Sequence, residues 1–276
     1  MKKVVSHLII VGVGLLGSSI GLAVKKRGLA DTVTGIGHNR ETLEIALQRK
    51  AVDTVETKLD VLAEITDGLA VICTPVRSIV SNVERIAAVN SNLLISDVGS
   101  TKANICYELE QRAVRFVGAH PIAGSEKSGP KFGDADLFQN RLTILTPTPS
   151  NRVEDVERLQ HFWESLGSRV LQLVPEQHDA ILAKTSHLPH AVAASLALLI
   201  TETDQPFCGT GFADMTRIAL GSPTVWTDIF LENRLQLLAF LEVFGERIES
   251  LKAALQSSNS AAVAQFLESA QKNIGK

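Results

Sequence analysis

Cysteine is scarce. Cys73, Cys106 and Cys208 are odd in number, far apart and without CxxC spacing, which argues against a disulfide framework and a zinc site and points to a reducing compartment, the cytoplasm. Blocks of like charge are also missing. The 27 basic and 30 acidic residues interleave to a net charge of −3, so there is no basic stripe for a phosphate backbone and nucleic acid is not an expected partner. Long apolar runs are absent too: the most apolar stretch, 188–200, is about 13 residues against the ~20 of a bilayer span, and it contains Pro189 and His190. No membrane partner is expected. The apolar run after Lys2 and Lys3 carries Gly12, Gly14 and Gly17 and has no small-residue cleavage site, so it does not read as a signal peptide. No internal repeat or low-complexity segment is visible.

What is present is a folding chain. With 276 residues, 45% of them apolar and 21% charged, it can bury a substantial core in one large domain or two ordinary ones. Residues 7–14, HLIIVGVG, form an apolar run of strand length that stops at glycines, and 18–26 follow with helical spacing. The alternation continues with strands over 32–37, 69–74 and 93–98 and helices over 40–50, 76–89 and 100–112. Strands over 115–119, 141–147 and 169–174, with a helix over 153–166, extend it. Beyond Pro175 the chain reads as helices over 177–185, 189–203, 214–219, 223–257 (continuous or broken) and 260–272. The expected fold is an α/β, doubly wound, mostly parallel sheet with helices on both faces over residues 1–174, followed by an all-α unit over 175–276.

Gly12-Val13-Gly14-Leu15-Leu16-Gly17 is a G-x-G-x-x-G run directly after the first strand and at the opening of the first helix, the context that makes this pattern a dinucleotide fingerprint. Gly12 permits the tight turn, Gly14 admits a pyrophosphate to the backbone, and Gly17 lets helix and strand pack closely, while the N–H groups at Leu15 and Leu16 belong to the positive helix end. The expected domain is Rossmann-type. NAD-preferring members of such folds place an acid about 20 residues on, to accept from the ribose 2′-hydroxyl. Here Gly37 occupies that place, followed by His38, Asn39 and Arg40, donors and a cation suited to a 2′-phosphate. NADP is therefore favoured over NAD, the alternative being that Arg40 is only a solvated helix residue.

Other candidates fall at the carboxyl edge of the predicted sheet, where open α/β sheets bind ligands. Cys73, Thr74 and Pro75 end one strand and Asp97 another, and all four are read as cofactor contacts. Ser100 is either a catalytic hydroxyl or the cap of the following helix. His120, just past the strand over 115–119, can take a proton from a hydroxyl as hydride leaves its carbon; the bland alternative is a loop histidine. His187 and His190 flank a proline with no thiolate or carboxylate at ligand spacing, so no metal is expected. The long helix carries Leu235, Leu237, Leu238, Phe240, Leu241 and Phe244, an apolar surface wide enough for core or for a dimer seam.

In order along the chain, GVGLLGSSIG, ICTPV, SDVGSTK, GAHPIAGSEKSG, LTPT, SHLPHA and GFADMTRIA resemble the prephenate/arogenate dehydrogenase family of tyrosine biosynthesis. The resemblance covers nearly the whole chain. It implies oxidative decarboxylation of prephenate to 4-hydroxyphenylpyruvate, or of arogenate to tyrosine, by a dinucleotide-binding domain joined to an all-helical homodimerisation domain. It makes His120 the catalytic histidine at the ring 4-hydroxyl and Ser100 its partner there. His187, Arg217 and Ser125 become substrate contacts, with Glu126 and Asp214 in an ionic network around Arg217. The end of the chain at Lys276 implies no chorismate mutase or ligand-sensing domain.

Two other readings compete. One is another two-domain NADP dehydrogenase, acting on a 3-hydroxy acid or an imine through a lysine such as Lys184. The other is a noncatalytic dinucleotide sensor, since such folds need not catalyse.

Overall fold

In the computed structural model, which describes residues 3–112, 114–124 and 127–275, the first apolar run becomes β1 (His7–Val11). Its side chains alternate between two cores, Leu8 and Ile10 on one face and Ile9 and Val11 on the other, as the two-residue period of a strand requires. Then follow α1 (Leu15–Arg27), β2 (Thr32–Ile36), α2 (Arg40–Gln48), β3 (Thr54–Glu56), β4 (Gly68–Ile72), α3 (Ile79–Val89), β5 (Leu94–Asp97), α4 (Ala103–Glu110), β6 (Phe116–Pro121), β7 (Leu142–Thr146), α5 (Val153–Ser165) and β8 (Arg169–Gln172). The eight strands lie in the order β3-β2-β1-β4-β5-β6-β7-β8. The first six reproduce the doubly wound dinucleotide order. Helices α1, α2 and α5 cover one face, around Ile20, Leu43 and Trp163, and α3 and α4 the other, around Val83 and Ile105.

One feature departs from the sequence reading, and a second shows where the mostly parallel sheet turns antiparallel. Strand β3 has no counterpart in that reading, because Thr54–Glu56 is only three residues long and none of them is fully buried. Strand β7 runs antiparallel to β6, pairing His120 with Ile144, whereas β8 is parallel to β7. Among the described residues between β6 and β7 there is only one 3-10 turn, Pro130–Phe132, and no α-helix to carry a parallel crossover.

The rest is helical: α6 (Pro175–Leu182), one π-helical turn (Ala183–His187), α7 (Leu188–Ala197), α8 (Thr210–Thr216), α9 (Pro223–Glu232), α10 (Arg234–Gln256) and α11 (Ser260–Ile274). The π turn joins without a gap the two helices that the sequence reads as separate, over 177–185 and 189–203. Pro189, on the second residue of α7, lacks the N–H that would bond back into that turn. The helix expected over 223–257 breaks at Asn233, a buried residue with φ −109° and ψ 27°. Its apolar surface is not core: Leu237 is buried, but Leu235 is 72% exposed and Leu238 54%. Helix α6 packs on α4 and β7, and Arg77 reaches across to Asp228 of α9 at 3.5 Å, so the helical unit is anchored to the carboxyl side of the sheet.

Candidate active site

The glycine run forms an open cradle. Gly12 has φ +93°, and a Cβ there would stand 2.9 Å from the Cys73 carbonyl oxygen, so only glycine fits without strain. A Cβ at Gly14 would meet nothing within 4 Å; that side of the loop is free for a ligand. At Gly17 the added atom would overlap the Gly12 carbonyl oxygen and stand 2.8 Å from Ile10 Cγ2, which explains the close packing of α1 on β1. Helix α1 has no side-chain cap, so its first N–H groups, from Leu15 onward, are available to an anion. These features fit a dinucleotide pyrophosphate.

Around this cradle the expected cofactor contacts divide. Cys73 and Thr74, at the end of β4, are half-buried beside Gly12, and Pro75 is exposed. Thr74 Oγ1 accepts from Asn82 Nδ2 at 3.2 Å. His38, Asn39 and Arg40 are exposed beyond β2. Asn39 Oδ1 caps α2 by accepting from the Thr42 N–H at 3.0 Å, leaving only its Nδ2 end for a ligand. Asp97 has to be corrected. It is fully buried, pairs with Lys102 Nζ, and accepts from the Gly99 N–H at 2.8 Å and the Ala119 N–H at 3.1 Å. Its carboxylate is spent on holding the β5 turn to β6, a structural use in place of the expected cofactor contact.

Ser100 is likewise no helix cap. Helix α4 starts at Ala103, and its first N–H groups are taken by Asp179 of α6, which accepts from Lys102 N at 2.8 Å and Ala103 N at 2.9 Å. A carboxylate at that end also suits the helix dipole. Ser100 stands half-buried in the preceding loop.

His120 lies near the end of β6, half-buried, on a cleft of about 520 Å³ lined also by Ile122, Gly124, Leu182, Ser186 and Trp226. That size suits a small molecule. Its Nδ1 is 2.9 Å from His178 Nε2, and His178 Nδ1 is 2.7 Å from Asp179 Oδ1. Burial, then the neighbouring His178, hold the His120 pKa well below the ordinary histidine value, so the imidazole is neutral and able to accept a proton. Burial also lowers His178 and pushes His187 down to about 4. His187 ends the π turn, buried, with its Nδ1 3.1 Å from Asn233 Nδ2 and its ring edge-on to Trp226 at 6.2 Å. His190 stacks on the same indole, its ring 3.5 Å from that of Trp226 and nearly parallel to it.

A family model described as prephenate dehydrogenase, nucleotide-binding domain, matches residues 20–172, and one described as prephenate dehydrogenase, dimerization domain, matches 174–269. The chain belongs to the prephenate dehydrogenase family. It is 30% identical to the prephenate dehydrogenase of Bacillus subtilis over 98% of this chain and 76% of that protein. It is also 30% identical to the cyclohexadienyl dehydrogenase of Zymomonas mobilis, over 98% of this chain and 95% of that one. The structure of Aquifex aeolicus prephenate dehydrogenase in complex with hydroxyphenyl propionate and NAD+ superposes with a TM-score of 0.90 at 30% identity, covering 97% of this chain and 96% of that one.

As a member of this family the chain is an NAD(P)-dependent dehydrogenase, and its remaining expected contacts can be located. Ser125 and Glu126 lie outside the described residues. Asp214 on α8 and Arg217 just after it are both exposed, and no ion pair joins them among the described residues. The expected network around Arg217 is therefore not assembled within the described part of the chain. Lys184, on which the lysine alternative depends, is exposed on the π turn. The sequence reading misses His178, Asp179 and Asn233, since they sit in ordinary-looking helical text. Only the adjacency of a histidine and an acid at 178–179 could have drawn attention to the first two.

Proposed function

We propose that the chain oxidatively decarboxylates prephenate, arogenate or both, with hydride transfer to NADP in preference to NAD, as one half of a homodimer. The observation that carries this reading is a neutral, half-buried His120 on a small-molecule cleft, at the same sheet edge as the open Gly12–Gly17 cradle. Gly12, Gly14 and Gly17, with the N–H groups of Leu15 and Leu16, would hold the pyrophosphate; His38, the Nδ2 end of Asn39, and Arg40 would meet a 2′-phosphate. When bound, the nicotinamide supplies the hydride acceptor.

His120 takes the proton from the ring 4-hydroxyl, which lets that carbon gain carbonyl character as its hydrogen departs as hydride. Loss of the ring carboxylate as carbon dioxide then makes the product aromatic. Ser100 orients the hydroxyl. Arg217 offers a two-pronged donor to a substrate carboxylate, and His187, Ser125, Glu126 and Asp214 complete the substrate side. The test is a four-way assay of prephenate and arogenate against NADP and NAD, followed by the absorbance of the reduced nicotinamide. Turnover with at least one pair is expected; none with any pair would overturn the reading and favour a dinucleotide sensor.

A further inference from the structure

Three polar side chains behind the cleft form one connected network, and its atoms fix which nitrogens carry protons. Asp179 accepts from Lys102 N and Ala103 N, so its carboxylate offers lone pairs only, and His178 Nδ1, 2.7 Å from Asp179 Oδ1, must be the donor. A neutral imidazole carries one N–H. His178 Nε2 is then a bare acceptor, and His120 Nδ1, 2.9 Å away, must donate to it. The only nitrogen of His120 left without a proton is Nε2.

The second branch leaves from the main chain of the same aspartate. Asn233 Nδ2 lies 2.8 Å from the Asp179 carbonyl oxygen, an atom that can only accept, so the amide end there is the NH2. That group also faces His187 Nδ1 at 3.1 Å. His187 Nδ1 therefore accepts, and the proton of this neutral ring is on Nε2.

We propose that Asp179 is a hub that gives the two histidines opposite tautomers, His120 a bare Nε2 and His187 an Nε2–H, with His178 and Asn233 as the positioning residues between. The proposal rests on His120 being the base. It adds the reason that this ring presents a lone pair to the hydroxyl: its Nδ1 proton is already committed behind it. Helix α6 thus contributes to catalysis through a side chain, His178, that is fully buried behind the His120 ring.

The test begins with nitrogen-15 spectra of the whole protein labelled at histidine, which distinguish the two neutral tautomers without any turnover. Assignments come from His120→Asn and His187→Gln. His120 is expected as the Nδ1–H form and His187 as the Nε2–H form; the reverse at either ring overturns the proposal. His178→Leu leaves a buried Nδ1–H on His120 without an acceptor, so kcat should fall about 10- to 100-fold as the ring changes tautomer, with KM for substrate and cofactor little changed. His178→Gln, whose Oε1 can accept in place of Nε2, should restore most of that loss and the wild-type His120 signature. Asn233→Leu should release the signature of His187 and leave that of His120. Full kcat in His178→Leu would sink the hub, and should that variant fail to fold, the wild-type spectrum and His178→Gln decide. If no substrate pair turns over, the functional reading fails while the spectra still answer for the tautomers.

Discussion

Burial of His120 against His178 has a kinetic signature. Because its pKa lies well below 6.5, the base stays neutral as the solution is acidified past the point where a solvated histidine protonates. The acid limb of kcat/KM, which reports groups of the free enzyme, should therefore lie below pH 6.5. His120→Asn should lower kcat by ~10²- to 10⁴-fold with little change in KM, and abolish that limb. Full kcat with the limb intact would move the base elsewhere, with His187 first to test. The proposed NADP preference can also be tested at one residue. A Cβ at Gly37 would meet nothing closer than Leu43 Cδ2 at 3.4 Å, so Gly37→Asp is sterically tolerable and should shift the ratio of kcat/KM toward NAD by about tenfold or more, or ~1.4 kcal/mol. A wild type already tenfold better with NAD would refute the NADP preference.

Elements explain what the sequence could and could not disclose. β1, α1 and their glycine turn are legible because the chemistry and the fold ask the same thing of adjacent residues: Ile9 and Ile10 face opposite cores, and Gly17 permits the contact of α1 with β1. His120 is legible as a strand-end residue. His178 and Asp179 are not, because their role is set by contacts 58 and 77 residues away in sequence, which no local period encodes. Neither is the break before α10, where the buried amide of Asn233 replaces helix continuity with bonds to Asp179 and His187. The π turn carries its own prediction. His187 is buried and its pKa is pushed from 6.5 to about 4, so the folded state holds the neutral ring while the unfolded chain protonates first. Stability from this group is complete above pH 6.5 and is lost as pH falls toward 4, by up to ~3 kcal/mol. His120 and His178 add in the same direction. Denaturant midpoints measured across that interval should fall on acidification, and less steeply in His187→Gln; a flat profile would contradict the buried neutral ring.

The whole molecule presents an imbalance between its halves. Residues of the sheet unit fill two closed cores, whereas the helical unit leaves Leu198 86%, Phe207 87%, Leu220 77% and Leu235 72% exposed, with Leu238 and Leu241 alongside on α10. Single exposed leucines are ordinary, but so many large side chains across consecutive helices mark an association surface. The chain's match to a dimerization domain over 174–269 makes a second copy of the chain the expected cover. An interface of this kind is isologous, so one substitution counts twice. Sedimentation at micromolar protein should give a species of twice 29.7 kDa, and Leu235→Glu with Leu238→Glu should drive it to monomer by burying four uncompensated carboxylates per dimer. Because Arg217 and Asp214 are exposed on the same unit, that dissociation should also raise KM for substrate if the partner's approach orders them, while leaving cofactor affinity at the Gly12–Gly17 cradle unchanged. A wild-type monomer at that concentration would leave the apolar surface of α10 without its partner and refute the homodimer.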